Sequence, residues 1–389
     1  MSSSTPPVTS PTAPRSDVVI VGAGIIGLAH AFEALGNGLS VTVLDRDRRP
    51  VGASVRNFGH CCISAQDGEL LALAQRSRPG WLRAAEAVGF WAAEAGTLVV
   101  ARSATEAAVL EELHAERGGD AVRLRSAAQT AVALGRAAGG DADLVGGAVL
   151  PADLRVDPRE AAPALAGWVD EQPRGRVLWG TAVTGVEPGT VHTTRGPVHG
   201  DRILVCVGHD LDYLFPDVAE DHGIQRCRLT MARAAAPDGF RTESAVLTAT
   251  SMLRYDAFTA RPSAARLREE VLGHSAELLE IGANVMFTRQ PDGTLLIGDS
   301  HHYDATTPPF IDERTHELLI DAVARVLGVP RLRILERWQG VYASSPRGPL
   351  LVRDLAPGVR AVSVTSGIGM TLSFGLAAAT FDGTLAATA

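Results

Sequence analysis

The sequence predicts a mixed α/β protein, α+β overall, in which one domain has a buried parallel sheet and a second domain has an antiparallel sheet. A strand–turn–helix–strand unit near the start of the chain predicts the first domain, and later strand pairs with turn signals between them predict the second. The length of 389 residues is enough for two domains. The composition, 46% hydrophobic and 21% charged, is typical of a globular protein.

The first unit consists of short segments in a regular order. Residues 18–21 are a β-branched apolar run that suits a buried parallel strand, and residues 22–27 then read Gly-Ala-Gly-Ile-Ile-Gly. Residues 28–35 predict a helix that ends at the following glycines, and Val41–Leu44 predicts a second strand, directly followed by Asp45. A GxGxxG turn in this setting predicts a Rossmann-like dinucleotide-binding domain.

Each part of this unit has a physical task in such a domain. We expect Gly22 to make the tight turn, Gly24 to let the backbone approach a pyrophosphate, and Gly27 to pack the helix against the strand. The helix N-terminus supplies N–H groups and a partial positive charge to the phosphates. We expect the Asp45 carboxylate to accept hydrogen bonds from ribose hydroxyls.

Further segments carry a family resemblance. Residues 52–60, Gly-Ala-Ser-Val-Arg-Asn-Phe-Gly-His, resemble the GAS-x-x-N-x-G segment of the superfamily of D-amino-acid oxidase, glycine oxidase and sarcosine oxidase. Residues 154–159, 202–208 and 362–372 are similar to a helix start, a closing strand and the last strand–turn–helix of these enzymes. The resemblance covers nearly the whole chain from about residue 17 and implies a Rossmann-like FAD-binding domain with an antiparallel-sheet substrate domain.

The resemblance also implies the cofactor, FAD. In the sarcosine oxidase branch a Cys bonded to FAD lies two residues before a Tyr, and Gly340 occupies that Cys position here, so we expect non-covalent FAD. Cys61 and Cys62 lie in the segment that passes the flavin, which leaves a covalent link as an alternative. The residues that the resemblance assigns to FAD binding are Gly22, Gly24, Ile25, Ile26, Gly27, Asp45, Arg46, Ala53, Ser54, Arg56, Asn57, Gly59, His60, Val183, Val207, Gly208, Gly367, Ile368, Gly369, Met370 and Thr371.

The substrate pocket differs from that of the amino-acid oxidases. Those members have a Gly-Leu-Arg-Pro segment whose Arg binds the substrate carboxylate, and the matching run here is 340–346, with Tyr342 at the Arg position. An anionic substrate then needs another cation. The candidates for substrate binding are Arg56, Arg254, Tyr255 and His302, and the candidates for catalysis are His60, Tyr342 and His301.

A structural role is the alternative for several of these candidates. Arg254 could be a surface side chain, Tyr255 a core residue, and His301 a histidine that only stabilises a turn. His60 is expected beside the flavin ring, where it could assist proton movement, although no protein base is required if the pocket lowers the pKa of the substrate amine.

The expected reaction follows from the resemblance. Residues 54–60 and 297–303 look most like a bacterial subgroup associated with aminophosphonate catabolism. The substrate would be a 2-aminoethylphosphonate-type amine, including N-methyl or hydroxy derivatives, which transfers hydride to flavin N5 and gives an imine. Hydrolysis yields an aldehyde such as phosphonoacetaldehyde. The alternatives are a D-amino-acid, glycine or sarcosine-type oxidase or dehydrogenase, and a non-catalytic flavin-binding protein.

Composition excludes several functions. All 36 basic residues are Arg, so pyridoxal-lysine, P-loop and protein-kinase chemistry are excluded. The net charge of −8 without a basic cluster argues against nucleic acid as a partner, and the lack of a long apolar run argues against a membrane span. Four scattered Cys predict a cytoplasmic protein without a metal. O2 or another electron acceptor is the expected second partner, and the sequence leaves the oligomeric state open.

The predicted domains are discontinuous in sequence. Among the elements placed in them, residues 284–288 and 294–297 predict a hairpin, and Glu313–Leu327 predicts an amphipathic helix. The predicted ranges are 1–15 for a disordered tail; 16–90, 146–222 and 335–389 for the FAD-binding domain; and 91–145 and 223–334 for the substrate domain.

Overall fold

The computed structural model describes residues 15–136 and 143–388, which contain twenty strands and twelve helices. The strands in chain order are β1 (Arg15–Val21), β2 (Val41–Leu44), β3 (His60–Cys61), β4 (Ala92–Ala93), β5 (Thr97–Ala101), β6 (Arg123–Ser126), β7 (Gly146–Leu150), β8 (Leu154–Val156), β9 (Gly175–Leu178), β10 (Val183–Glu187), β11 (Thr190–Thr193), β12 (Val198–Val205), β13 (Gln225–Ala235), β14 (Ala245–Leu247), β15 (Met286–Arg289), β16 (Thr294–Gly298), β17 (His302–Asp304), β18 (Ile334–Ser344), β19 (Leu350–Ala356) and β20 (Val359–Val364). The helices are α1 (Ile25–Gly36), α2 (Gly68–Val88), α3 (Ala104–Arg117), α4 (Ala127–Ala133), α5 (Pro158–Glu171), α6 (Leu211–Leu214), α7 (Pro216–Asp221), α8 (Ala249–Met252), α9 (Asp256–Thr259), α10 (Ala264–Glu280), α11 (Glu313–Leu327) and α12 (Gly369–Phe381).

An eight-stranded sheet contains the predicted parallel strands. β1 lies between β12 and β2, both parallel to it, while β9 extends the parallel pairing beyond β2 and β20 extends it beyond β12. β10, β11 and β19 add antiparallel strands at the edges. The centre of β1 is fully buried, as a β-branched run in a parallel sheet should be. The predicted α/β fold class is confirmed.

A nine-stranded sheet forms the second layer of structure. Its order is β17-β13-β16-β15-β14-β5-β7-β6, with β18 also paired to β13. All of its pairs are antiparallel except β14 with β5. The predicted hairpin is present as β15 and β16, which pair around the turn at residues 290–293.

The helices follow the sequence signals closely. α11 begins after Asp312, whose side chain accepts a hydrogen bond from the N–H of Arg314, and ends at Gly328 in the left-handed conformation. α12 is almost wholly buried and packs against α1 and α2. Within residues 15–136 and 143–388, no helix combines the length and the apolar character needed to cross a membrane.

Strand pairing differs from the predicted boundaries in three places. Arg15 falls in the range predicted as a tail, yet it begins β1 and forms an ion pair with Asp201; residues 1–14 lie outside the described residues. β7 and β18 fall in ranges predicted for the FAD-binding domain, yet both pair in the nine-stranded sheet. Their partners, β5 and β13, are remote in sequence, so local composition could not reveal the pairing.

Candidate active site

A cleft of about 620 Å³ is lined by residues of both large sheets. The carboxyl ends of β1, β2 and β20 contribute to it from the eight-stranded sheet, and β13, β15 and β18 contribute from the nine-stranded sheet. It is lined by nearly every residue that the sequence nominated. The nominated residues that do not line it are Gly27, Gly59 and His302.

The glycine turn after β1 leaves no room for side chains. Gly22 has φ +106°, and a Cβ there would lie 2.5 Å from the carbonyl oxygen of Cys206. A Cβ on Gly27 would lie 2.0 Å from the carbonyl oxygen of Gly22. Gly27 therefore lets α1 lie against the turn and against Ile20 of β1, and it does not line the cleft.

Two helix N-termini open into the same cleft. α1 begins after Gly24 and α12 after Ile368, and neither helix has a side-chain cap at that residue. Ser54 Oγ accepts a hydrogen bond of 2.8 Å from the N–H of Ile25, so one donor of α1 is already engaged. The remaining N–H groups and the aligned peptide dipoles suit the two phosphates of a dinucleotide.

Asp45 is held rigidly at the end of β2. Its carboxylate accepts hydrogen bonds of 2.8 Å from the N–H of Ala23 and 2.9 Å from the N–H of Asp47. Burial raises the pKa of Asp45 above its ordinary value, and these two N–H groups partly offset that rise. The next residue, Arg46, forms an ion pair of 2.6 Å with Asp210 across the cleft wall. The turn, the helix N-termini and this acid together fit an adenine dinucleotide.

The segment that resembles the flavin-passing loop is shaped by its own side chains. Asn57 accepts a hydrogen bond of 2.8 Å from the N–H of Gly59 and donates one of 2.9 Å to the carbonyl of Ala53. Gly59 has φ +65°, and a Cβ there would lie 1.9 Å from the carbonyl oxygen of Val156. Gly59 thus packs against the backbone of Val156 on the side of the loop that faces away from the cleft, so it does not line the cleft.

His60 is buried in a hydrogen-bond network. Its Nε2 lies 2.7 Å from Thr97 Oγ1 and 3.2 Å from Asp153 Oδ2, while Thr97 itself donates to Asp153 over 2.6 Å. The other carboxylate oxygen of Asp153 accepts from the N–H of Ser64. His60 reaches the cleft wall, but these partners give it a structural role beneath the flavin-passing loop. Asp153, the acid that anchors this network, was not among the residues nominated from the sequence.

The two adjacent cysteines are buried, and burial raises the pKa of both thiols. Only Cys62 of the two lines the cleft. A protonated thiol is a poor nucleophile, so this setting opposes a covalent link to FAD. Ligand atoms of His60, Cys62 and Asp153 lie within 4.8 Å of one another, but the carboxylate oxygens of Asp153 already accept hydrogen bonds.

Arg254 projects into the cleft from the turn between α8 and α9. Its Nη2 donates a hydrogen bond of 2.9 Å to the hydroxyl of Tyr342, and Nη1 lies 3.5 Å from the hydroxyl of Tyr303. Within the described part of the chain, no carboxylate forms an ion pair with Arg254, although the charge of Asp299 acts on it from a longer distance. Burial raises the pKa of Tyr342, so its hydroxyl keeps a proton that it can donate. This arrangement suits an anionic ligand.

His301 and Tyr255 form part of the same wall. His301 Nδ1 lies 2.8 Å from the carbonyl oxygen of Gly282, and burial lowers the pKa of His301 well below its usual value. Burial raises the pKa of Tyr255, whose hydroxyl lies 3.5 Å from Asn284 Nδ2. Both side chains are therefore neutral at physiological pH.

Two other nominated residues are placed differently. Arg56 lines the cleft, and its Nη1 donates a hydrogen bond of 3.3 Å to the carbonyl of Gln339. His302 is exposed on β17 and lies away from the cleft, so its position gives no support to a role in substrate binding. His301 and His302 point to opposite sides because neighbouring side chains alternate along extended backbone.

Asp299 and Asn284 are two polar cleft residues that were not nominated from the sequence. Their backbones are joined by hydrogen bonds of 2.8 and 2.9 Å, and both side chains line the cleft. Asp299 is only 4% exposed, and burial raises its pKa to about 7. The signal in the sequence was an acid placed directly after the apolar strand β16.

Solved structures with known activities share this fold. Glycine oxidase from Geobacillus kaustophilus is 18% identical with a TM-score of 0.73, over 96% of each chain. L-proline dehydrogenase from P. horikoshii is 17% identical with a TM-score of 0.75, over 95% of this chain and 94% of that one. L-α-glycerophosphate oxidase from Mycoplasma pneumoniae, solved with FAD bound, is 18% identical with a TM-score of 0.69, over 94% of each chain.

Sequence identities of 17–18% to these solved structures show the fold alone, whereas a match to a family model assigns the chain to a family. No curated protein is similar enough in sequence to count as a match. The model described as DAO, FAD dependent oxidoreductase, matches residues 17–382, which is nearly the whole chain. Its FAD dependence agrees with the glycine turn, the open helix N-termini and the acid at the end of β2. The chain belongs to the DAO family of FAD-dependent oxidoreductases.

Proposed function

We propose that this enzyme oxidises the C–N bond of a small amine that also carries an anionic group. The observation that carries the proposal is Arg254, a guanidinium that reaches the cleft with two tyrosine hydroxyls beside it and without an ion pair to an acid among the described residues. A buried cation of this kind is stable when a ligand supplies the counter-charge. A simple alkylamine would leave it unpaired.

The residues at the other end of the cleft would hold FAD. The backbone around Gly22 and Gly24 and the N-termini of α1 and α12 would bind the pyrophosphate, and Asp45 would bind a ribose hydroxyl. Gly367 has φ +78°, and a Cβ there would lie 2.8 Å from the ring of Tyr342. This glycine would let the loop before α12 approach both the cofactor and the ring of Tyr342.

When bound, the flavin supplies the hydride acceptor for the carbon next to the substrate nitrogen. The chain's own contribution is to hold that carbon in place. Arg254 and Tyr342 would fix the anionic end of the substrate, and the apolar faces of Leu229 and Met286, which also line the cleft, would limit water near the reacting carbon. An imine product would then hydrolyse to an aldehyde or keto compound and an amine.

The finer proposal is an aminophosphonate of the 2-aminoethylphosphonate type. The resemblance of residues 54–60 and 297–303 to the aminophosphonate-associated subgroup supports it. A phosphonate offers three oxygens, and Arg254 with the hydroxyls of Tyr342 and Tyr303 offers several donors around one point. That L-α-glycerophosphate oxidase has a similar fold is consistent with a phosphorus oxyanion in such a cleft.

The second candidate is an α-amino acid whose carboxylate binds Arg254. Tyr342 replaces the Arg expected on the strand, yet Arg254 donates a hydrogen bond to that same Tyr hydroxyl. A carboxylate clamp relocated to the α8–α9 turn would therefore occupy the same part of the cleft. Glycine oxidase and L-proline dehydrogenase, by their names, act on amino acids.

Anaerobic reduction of the flavin tests both candidates. Purified holoenzyme would be mixed with 2-aminoethylphosphonate, its N-methyl derivative, glycine, sarcosine and D-alanine, with ethanolamine as an amine that lacks an anion. We expect bleaching of the flavin absorbance by at least one anionic amine and none by ethanolamine. Faster bleaching by the aminophosphonates than by the amino acids would support the finer proposal. Faster bleaching by the amino acids would support the second candidate. A yellow protein that no amine bleaches would instead be a non-catalytic flavin-binding protein.

A further inference from the structure

The wall of the cleft near Arg254 contains an unusual group of buried hydrogen-bond acceptors. Among the described residues, Asp299 Oδ1 and Asn284 Oδ1 have no hydrogen-bond partner, although both atoms are shielded from solvent. Buried acceptors without partners are rare because each loses its hydrogen bonds to water. Both side chains line the cleft, so a ligand there could supply the missing donors.

His301 adds a third acceptor to this group. Its Nδ1 donates to the carbonyl of Gly282 over 2.8 Å, and a neutral imidazole then has Nε2 without a proton. That Nε2 lies 3.7 Å from Asp299 Oδ2. Two acceptors at this distance repel each other unless a proton or a donor lies near them.

The charges around Asp299 do not neutralise it directly. Arg254 faces it from the α8–α9 turn, Tyr255 from the start of α9, and Cys227 from β13. Within residues 15–136 and 143–388, no arginine forms an ion pair with its carboxylate. Burial raises the pKa of Asp299, and the charge of Arg254 partly offsets that rise without forming an ion pair. The groups next to the carboxylate are the neutral His301 and Asn284, so a cationic ligand would complete the site.

We infer, on the basis of the proposed function, that Asp299 binds the ammonium group of the substrate and accepts its proton. An ammonium has three N–H donors, and Asp299 Oδ1, Asn284 Oδ1 and His301 Nε2 are three acceptors on one wall of the cleft. Arg254 then binds the anionic end and Asp299 the cationic end, so the cleft recognises a zwitterion.

The proton step balances without any other reactant. One N–H bond of the ammonium breaks and its electron pair stays on nitrogen, while an O–H bond forms on Asp299. The amine becomes neutral, which is the form that can lose hydride from the adjacent carbon. Burial raises the pKa of Asp299 to about 7, so its carboxylate is a stronger base than an exposed aspartate and can take this proton.

Binding to reduced enzyme tests this assignment without turnover. Dithionite-reduced holoenzyme cannot oxidise an amine, so calorimetry can compare glycine with acetate and 2-aminoethylphosphonate with ethylphosphonate. We expect Asp299→Asn to raise the dissociation constant of the amino-bearing ligand of each pair by about tenfold or more. The dissociation constant of the amine-free anion should rise by less than about twofold. Asp304→Asn, which removes an exposed acid on β17, should change neither.

The outcomes separate this assignment from the proposed function. If Asp299→Asn lowered the affinity for both members of a ligand pair equally, or for neither, the role of Asp299 would be overturned. Binding of the anionic amines by the wild-type enzyme would still uphold the proposed function. If wild-type enzyme bound none of the four ligands and no anionic amine reduced its flavin, the proposed function would fail and the role of Asp299 with it.

A second measurement needs no ligand. The raised pKa of Asp299 gives the folded state a stabilising contribution that is complete below about pH 4 and lost as pH rises through about 7. We therefore expect the thermal midpoint of ligand-free holoenzyme at about pH 8 to be higher in Asp299→Asn than in wild type, because the variant carries no buried charge. A lower midpoint in the variant would show that the carboxylate is structural and would overturn the assignment.

Discussion

At the scale of single residues, Arg254 places a cation beside the position where amino-acid oxidases have their substrate-binding Arg. The sequence places Tyr342 where amino-acid oxidases have an Arg, and the structure puts the guanidinium of Arg254 2.9 Å from that Tyr hydroxyl. The hydroxyl accepts a hydrogen bond from Arg254, and burial raises its pKa, so it stays protonated. The cation and the hydroxyl therefore act on the same point of the cleft, although they come from the α8–α9 turn and from β18.

Removing this guanidinium should weaken every anionic ligand. For Arg254→Ala we expect the dissociation constants of both 2-aminoethylphosphonate and ethylphosphonate, or of both glycine and acetate, to rise by about tenfold to a hundredfold, because charge-assisted hydrogen bonds are lost. This pattern differs from that of Asp299→Asn, which should affect only the amino-bearing ligands. Calorimetry on the dithionite-reduced holoenzyme measures both.

The control for this substitution is Arg314→Ala. Arg314 is exposed on α11 and pairs with Glu277 over 3.0 Å, away from the cleft, so its removal should leave ligand binding unchanged. Unchanged binding in Arg254→Ala would instead place the anion elsewhere, and Arg56 would then be the next cation of the cleft to replace.

At the scale of elements, the proposed FAD site depends on the turn between β1 and α1. Gly22→Ala should lower the flavin content of the purified protein to well below half of the wild-type value, because the new Cβ would lie 2.5 Å from the carbonyl oxygen of Cys206 and the turn would have to shift. The ratio of visible to ultraviolet absorbance measures the flavin content.

Gly38→Ala is the matched control for that turn. Gly38 also has positive φ, +76°, but nothing lies within 4 Å of the position of a Cβ there. It reproduces the backbone strain of roughly 1 kcal/mol without the steric clash, so its flavin content should stay near wild type. Equal flavin loss in both variants would mean that strain, rather than close approach at Gly22, controls cofactor retention.

Elements with local signals were predicted well, and pairings between remote segments were not. The helix Glu313–Leu327 and the hairpin of β15 and β16 depend on caps, periodicity and a short turn, all visible in a few residues. The pairing of β18 with β13, which lies about a hundred residues earlier, was not predicted, because a strand pattern does not identify its partner strand.

The candidate site follows the same division. The residues proposed to hold FAD were nominated from contiguous motifs, whereas Asp299 and Asn284 were not nominated. Asn284 lies just before β15 and Asp299 just after β16, so the hairpin itself brings them together. Their importance depends on burial and on missing hydrogen-bond partners, and neither property can be read from residue type alone.

At the scale of the whole molecule, a chain without lysine must make every cationic contact with arginine or histidine. Within the described residues, four arginines line the cleft. Arg46 pairs with Asp210 over 2.6 Å, Arg226 pairs with Asp212 over 2.7 Å, and Arg56 donates to a backbone carbonyl. Arg254 and Arg56 are thus the two guanidinium groups of this set without an ion pair, and Arg254 is the one that lies beside tyrosine hydroxyls, where a bound anion would neutralise it.

This distribution of charge predicts slow reaction of the reduced enzyme with O2. The sarcosine oxidase branch uses a Lys beside the flavin to promote that reaction, and this chain has none. The buried His301 is neutral because burial lowers its pKa, so it cannot replace that charge. In stopped-flow measurements we expect substrate-reduced holoenzyme to be reoxidised more slowly by air than by an artificial acceptor such as a phenazine, and more slowly than substrate reduces it. Peroxide formed as fast as substrate is consumed would contradict this, and would show that an arginine or His60 promotes the reaction with O2.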